Sequence, residues 1–212
     1  MRKNIPAAMM DFTHFFAHVS LYEVQYPDQV LAFYIAVLEP VLGYETLQSI
    51  EADAAFLEAL SVAALMVRLL RDVGTPLLTN DWVRTQFARL LDQKKVAREG
   101  ESLASILLEA SEELGDWSMR ISPDVVRGDG NTCLSGLLNL SPAVAIPRFC
   151  DRMDYLAGMF SNGRKYLNRL AQDVTVQVWS EGPSKLVLRF VEFHERIDAA
   201  GASTTQVHRA AS

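Results

Sequence analysis

The chain is poor in the residues from which most recognisable sites are built. Only two cysteines, Cys133 and Cys150, stand in its 212 residues, far apart and outside any CxxC pair. Neither a disulfide framework nor a zinc site of known spacing follows from them, so reduced thiols and a cytoplasmic location are the default expectation. Histidine is nearly as scarce, with four residues in all. No Gly-rich phosphate loop, HExxH segment or serine nucleophile elbow occurs, and nucleophilic catalysis has no motif to rest on. Basic charge is in deficit: the formal net charge is -6 and the isoelectric point about 5.2. A broad nucleic-acid-binding face is thereby disfavoured, because it needs concentrated cations to displace counterions from phosphates.

Long hydrophobic runs are missing too. The most apolar stretch, "AAFLEALSVAALMVRLL" at 54–70, holds Glu58 and ends in Arg68. It falls short of the roughly 20 residues of a membrane helix and reads as a buried helix of a bundle. The beginning, "MRKNIPAAMMDFTHFF", is interrupted by Pro6 and Asp11 before a secretory core could form, so it is expected to stay unprocessed.

What is present is amphipathic helix. Half of the residues are hydrophobic and 22% charged, a balance that suits a globular core and is too apolar for disorder. Met10, Phe15, Val19 and Tyr22 recur at helical spacing within 7–26, ending at Pro27. A second helix starts at Asp28 and is broken or kinked by Pro40. A third, 52–72, is rich in Ala and Leu without internal Gly or Pro. A fourth, 81–95, follows Thr79 or Asn80 as cap and groups Trp82 with Phe87, Leu90 and Leu91. "EGESLASILLEASEEL" forms a fifth, closed by Gly115. "ISPDVVRGDGN" at 121–131 has the composition of a loop. A helical pattern resumes at 148–172, with a kink expected at "SNG", 161–163.

Near 173–193 two patterns compete. "VTVQVWS" and "KLVLRFVEF" could pair as a hairpin across "EGPS", whereas Leu186, Phe190, Phe193 and Ile197 fit a helix face, which is the favoured reading. The expected architecture is an all-α, single-domain bundle of about seven helices over residues 1–199, with a flexible tail at 200–212.

One stretch concentrates charge at the end of an apolar helix. In "VRLLRDVGTPLLTND", 67–81, Arg68, Arg71 and Asp72 precede Gly74 and Pro76, and Thr75, Thr79, Asn80 and Asp81 follow. Arginine forks suit phosphate oxygens, and carboxylate or hydroxyl oxygens suit a Mg²⁺ ion beside them. The wording "RLLRDVGT", 68–75, resembles the second metal-binding segment of class I terpenoid synthases and the "LRDV" segment of squalene and phytoene synthases. "REGESLASILLEASEELG", 98–115, is similar to the Arg-Gly-containing helix start that follows it in that family. Arg71 stands where the family has Asn or Asp, Thr79 stands where it has Glu, and no Asp-Asp-x-x-Asp segment lies upstream.

The resemblance implies a helical lyase or cyclase acting on an isoprenoid diphosphate or a similar apolar anion. Asp72 and Thr75 would then hold Mg²⁺, Arg68 and Arg71 would bind the anion, and Phe15, Phe16, Phe33, Tyr34 and Met66 would line the apolar pocket. The same charges also read as a plain helix end, with Arg68 and Arg71 snorkelling to water and favoured there by the helix dipole.

A second cluster is "DFTHFFAHVSLYE", where Asp11, His14 and His18 share a helix face. Together with His194 in "VEFHERID" they are similar to the ligand sets of heme-oxygenase-like dimetal oxidases, although Gly201 stands at that family's last histidine. This implies a non-haem oxygenase or oxidase carrying Fe or Mn. The third expectation is a non-catalytic helical protein that binds a hydrophobic small molecule or a partner subunit, including a second copy of the chain.

Overall fold

A computed structural model describes residues 39, 40, 43, 45, 48, 54–97, 101–114, 121–127, 131–172 and 187–196. These form helices and turns, with no strand among them. Helix α1, Ala54–Val73, is the Ala- and Leu-rich segment read as the third helix. Phe56, Leu60, Ala63, Met66, Val67, Leu70 and Val73 are buried along it. Each fully buried large side chain contributes about 1.5–3 kcal/mol, so this face outweighs any local propensity. Gly74 ends the helix at φ 89°, a conformation open to glycine at little cost, and its N–H donates to the Leu70 carbonyl at 3.0 Å.

Pro76 lies in the first turn of the short α2, Thr75–Thr79, where a missing N–H removes no helical bond. Asn80 then caps α3, Asp81–Ala97, its side-chain oxygen accepting from the N–H groups of Trp82 and Val83 at 3.1 and 3.2 Å. Val83, Phe87 and Leu91 are the inward residues of α3. Trp82 is 61% exposed rather than part of that face.

Helix α4, Leu103–Leu114, begins beside the turns at 132–139. Its first amides would otherwise lack partners, and Leu103 and Ala104 donate to the carbonyls of Leu140 and Leu138. Ile121–Arg127, inside the stretch with loop composition, is helix α5. Pro123 falls among the first residues of that helix, where no intrahelical N–H bond is lost, and Ile121 is buried as its anchor. Composition alone misreads the segment for that reason.

Among the described residues the longest element is α6, Pro142–Gln172, at 31 residues. It opens at Pro142, six residues earlier than the periodicity places it, with the Ser141 carbonyl accepting from Val144 and Ala145. It packs against α1, α2, α3 and α4 and so forms the axis of the bundle. Phe149 meets Phe87 of α3 with ring centroids 6.0 Å apart. The helix assignment runs without interruption through Ser161, Asn162 and Gly163, where a kink is expected from sequence. Gly163 serves close packing instead: a Cβ there would lie 3.1 Å from Met66 Sδ and 3.2 Å from Val62 Cγ1 of α1.

Residues 187–196 are helical, so the second arm of the alternative hairpin is a helix. Its first arm, 174–180, lies outside the described residues, as do Leu186 and Ile197. Val187 and Val191 enter the core, whereas Phe193 is 57% exposed and stands off the buried face. Among the described residues no helix is long and apolar enough to cross a membrane.

Candidate functional site

The charged end of α1 turns inward. Arg68 and Asp72 are one helical turn apart, and both are buried, Asp72 completely. Arg68 Nε donates to Asp72 Oδ2 at 2.8 Å. The same oxygen accepts from the Thr132 backbone N–H at 3.1 Å and from the Thr132 hydroxyl. Arg68 Nη2 donates in turn to Thr132 Oγ1 at 3.3 Å. Arg71 reaches the surface, its Nη1 3.6 Å from Asp72 Oδ1, an oxygen that accepts no hydrogen bond. Burial raises the Asp72 pKa above its ordinary value, and the charges of Arg68 and Arg71 and the two Thr132 donors offset this only in part.

Around this pair a polar network fixes the turns at 131–135. Asn131 Nδ2 donates to the Asp72 carbonyl and to Asp124 Oδ2 of α5, each at 2.7 Å. Asn131 Oδ1 accepts from the Cys133 amide at 3.0 Å. From α6, Arg152 Nη1 donates to the carbonyls of Cys133 and Ser135 at 3.0 and 2.7 Å. Three helices are thus tied to one irregular segment through Asp72, Asn131 and Arg152.

This arrangement bears directly on the residues singled out from sequence. Arg68 is buried rather than snorkelling to water, with its Nε directed at Asp72 and its Nη2 at Thr132. Mg²⁺ takes near-octahedral oxygen sets at about 2.0–2.1 Å. Asp72 Oδ2 already accepts from three donors, and Thr75 Oγ1 donates to the Glu195 carbonyl at 3.4 Å. Only Asp72 Oδ1 is left without a donor, buried and 3.6 Å from the Arg71 guanidinium, so Asp72 and Thr75 as arranged do not supply the oxygen set that ion needs. Met66 is a core residue against Gly163, while Phe15, Phe16, Phe33 and Tyr34 lie outside the described residues.

Asp11, His14 and His18 lie outside them as well. His194 is half-buried on the 187–196 helix, edge-on to Phe190 at 4.7 Å and to Phe193 at 5.7 Å, and burial lowers its pKa. Among the described residues no three His, Cys, Asp or Glu side chains gather as a metal-binding group.

A cleft absent from the sequence reading opens between the α2–α3 corner and α6. Its volume is about 480 Å³. Leu78, Ala157 and Phe160 give it a buried apolar floor, and Thr79, Asp81, Arg84, Asp154, Ser161 and Arg164 give it polar walls. Arg84 organises one end. Its Nη1 donates to the carbonyls of Leu77 and Leu78 at 2.8 and 3.3 Å, which end α2, its Nε donates to Asp154 Oδ1 at 3.1 Å, and its Nη2 pairs with Asp81. At the other end Arg164 Nη1 donates to Glu195 Oε1 at 3.0 Å. No family model, no curated protein and no solved structure matches the chain.

The α6 contribution could have been found in the sequence. Asp154, Ala157, Gly158, Ser161 and Arg164 fall at i, i+3, i+4, i+7 and i+10, one stripe of a helix. In sequence the acidic neighbour of Asp154 is Asp151, three positions earlier; in the structure its partner is Arg84, seventy positions earlier.

Proposed function

We propose that this chain is a non-catalytic helical protein that binds a small amphipathic molecule in the cleft between α2, α3 and α6. The observation that supports this is the cleft itself: its volume of about 480 Å³ joins a buried apolar floor to charged walls. Small-molecule sites commonly occupy about 300–1,000 Å³ and combine an apolar lining with a few polar groups. Of the charges at the end of α1, which would otherwise suit a diphosphate, Arg68 and Asp72 are engaged with each other and with Thr132, and Arg71 alone reaches the surface.

Gly158 provides the test. A Cβ built there meets nothing within 4 Å, so a larger side chain starts in open space on the lining of the cleft. Leucine is also preferred to glycine in a helix by roughly 0.8–1 kcal/mol, so Gly158→Leu is expected to fold at least as well as the parent. Medium-chain amphiphiles bearing an ammonium group, a carboxylate or both are titrated into each protein by calorimetry. At least one is expected to bind the parent and lose affinity tenfold or more in Gly158→Leu. Binding of none of them, or equal binding by both proteins, would overturn the reading.

A further inference from the structure

The two ends of the cleft differ in charge, and the difference selects among amphiphiles. At one end the single guanidinium of Arg84 is shared between Asp81 Oδ1 and Asp154 Oδ1. One cation against two carboxylates leaves that end with one negative charge in excess. Both carboxylates are open to solvent, with side-chain exposures of 92% and 73%, and the second oxygen of each makes no hydrogen bond within the described protein. An ammonium group placed between them gains charge-assisted hydrogen bonds that no protein donor supplies.

The other end lacks that excess. Arg164 is matched by Glu195 through Nη1 alone, which leaves Nε and Nη2 of a 42% exposed guanidinium without an acceptor among the described residues. The Ser161 hydroxyl, nearly one turn earlier on α6, also has no partner among the described residues and lines the same wall. Fixed donors with no fixed acceptor suit a carboxylate. Between the ends lie the bare backbone of Gly158 and the apolar floor of Leu78, Ala157 and Phe160.

The spacing sets the length of the occupant. Asp154 and Arg164 lie on one continuous helix, so they are about 15 Å apart along its axis at 1.5 Å per residue. The ammonium and carboxylate of a single amino acid are far too close together to reach both ends. An extended chain advances about 3.3–3.6 Å per residue, so about four residues cover the distance.

We infer that the cleft takes an extended zwitterion, in the form of a short peptide with both termini free, its ammonium at Asp81 and Asp154 and its carboxylate at Arg164. This rests on the cleft being the ligand site and adds the class and direction of the ligand.

The probe is the tetrapeptide Ala-Leu-Leu-Ala in four forms: free, N-acetylated, C-amidated and doubly capped. Each is titrated by calorimetry against the parent, Gly158→Leu, Asp154→Asn and Arg164→Gln, with thermal melts to confirm that every variant folds. The free peptide is expected to bind the parent, and either cap to weaken it about tenfold, the order of one charge-assisted hydrogen bond. Asp154→Asn should no longer distinguish free from acetylated peptide, while still distinguishing free from amidated. Arg164→Gln should show the reverse pattern.

A parent that binds free and doubly capped peptide equally overturns the inferred direction, even when Gly158→Leu abolishes both. A parent that binds no peptide but binds a singly charged amphiphile, with Gly158→Leu blocking it, overturns the zwitterion and leaves the cleft as a binding site. Indifference of every probe to Gly158→Leu overturns both. A long-chain ω-amino acid, which has the same end charges without peptide groups, separates recognition of the ends from recognition of the backbone. If it binds as tightly as the free peptide, the peptide assignment falls.

Discussion

Arg68→Met tests whether the α1 network is a fastening of the fold. The substitution keeps most of the side-chain volume and removes the guanidinium hydrogen-bonded to Asp72 Oδ2. Removing one partner from a buried ion pair costs about 3–5 kcal/mol, mostly because the remaining charge stays out of water. That is a large part of the roughly 5–15 kcal/mol that holds a domain folded. Thr132 keeps its two donors on Asp72, and Arg71 stays 3.6 Å from the other oxygen, so the loss is expected near the lower end of the range.

The loss should depend on pH with a definite sign. Burial already raises the Asp72 pKa in the parent, and Arg68 is the strongest influence opposing it. Without Arg68 the folded pKa rises further. A carboxyl whose folded pKa exceeds its unfolded one favours folding at pH values below the unfolded pKa, and that contribution is lost as pH rises through the folded pKa. The difference between parent and Arg68→Met is therefore largest at neutral pH and shrinks on acidification, as the stranded carboxyl takes up a proton.

Urea unfolding at pH 7 and pH 4.5, analysed for midpoint and slope, measures both effects. The double variant Arg68→Met/Asp72→Leu, which leaves no buried charge, is expected to recover most of the stability. A loss under about 1 kcal/mol at pH 7, the scale of an exposed pair, would refute the reasoning. So would a loss of unchanged size at pH 4.5.

The two α6 glycines should respond in opposite ways to alanine. Gly158→Ala is expected to raise stability by roughly 0.8–1 kcal/mol, since nothing lies within 4 Å of its new Cβ. Gly163→Ala gains the same propensity but presses on Met66 and Val62 in a packed interface, where overpacking costs about 1–3 kcal/mol. A net loss is expected, and equal melting temperatures for the two variants would contradict the close α1–α6 approach. The thiols should be slow. Burial, with the Asp72 charge next, pushes the Cys133 thiol far above its ordinary range, and burial followed by Asp154, Asp151 and Asp92 pushes Cys150 up to about 11. Since the thiolate is the reactive form, a disulfide reagent at pH 8 should label Cys150 slowly and Cys133 only after unfolding. Rapid labelling of Cys133 in the folded protein would contradict its burial.

The helices that could be read from sequence are those whose signals are local. α1 has no internal breaker and α3 has Asn80 as its cap, so both are legible to within a residue or two. α5 was hidden because proline is punctuation in composition but harmless in a first turn, and because Asp124 finds its partner in Asn131. At 187–196 the period was legible while its phase was not: Val187 and Val191, rather than Phe193, met the core. The charged cluster at 68–72 was visible as a cluster. Its role was not, because a spacing of four serves an internal ion pair as well as a phosphate clamp. The deciding partner, Thr132, lies 60 positions away. The cleft escaped for a similar reason, since its α6 stripe is written in order but Arg84 and Leu78 arrive from another part of the chain.

The network and the cleft are linked through the backbone between them. Asp72 is held by Arg68, Thr132 and, at its carbonyl, Asn131, so the last turn of α1 has little freedom. Two residues later Gly74 makes the turn, and α2 begins at once. The start of α2 is thus positioned by the buried pair, and the Thr75 hydroxyl is further engaged by the Glu195 carbonyl. The other end of α2 is held by Arg84, which gathers the Leu77 and Leu78 carbonyls and ties them to Asp154 across the opening. Leu78 and Thr79, which form one wall of the cleft, therefore stand on a five-residue helix fixed at both ends. A helix that short has almost no stability of its own, because nucleation is unfavourable and only a few bonds follow it. Its position has to come from these polar ties and from the burial of Leu77 and Leu78. The charges of the "RLLRDVGT" segment can thus matter for binding without touching a ligand, by holding the wall against which the ligand would lie.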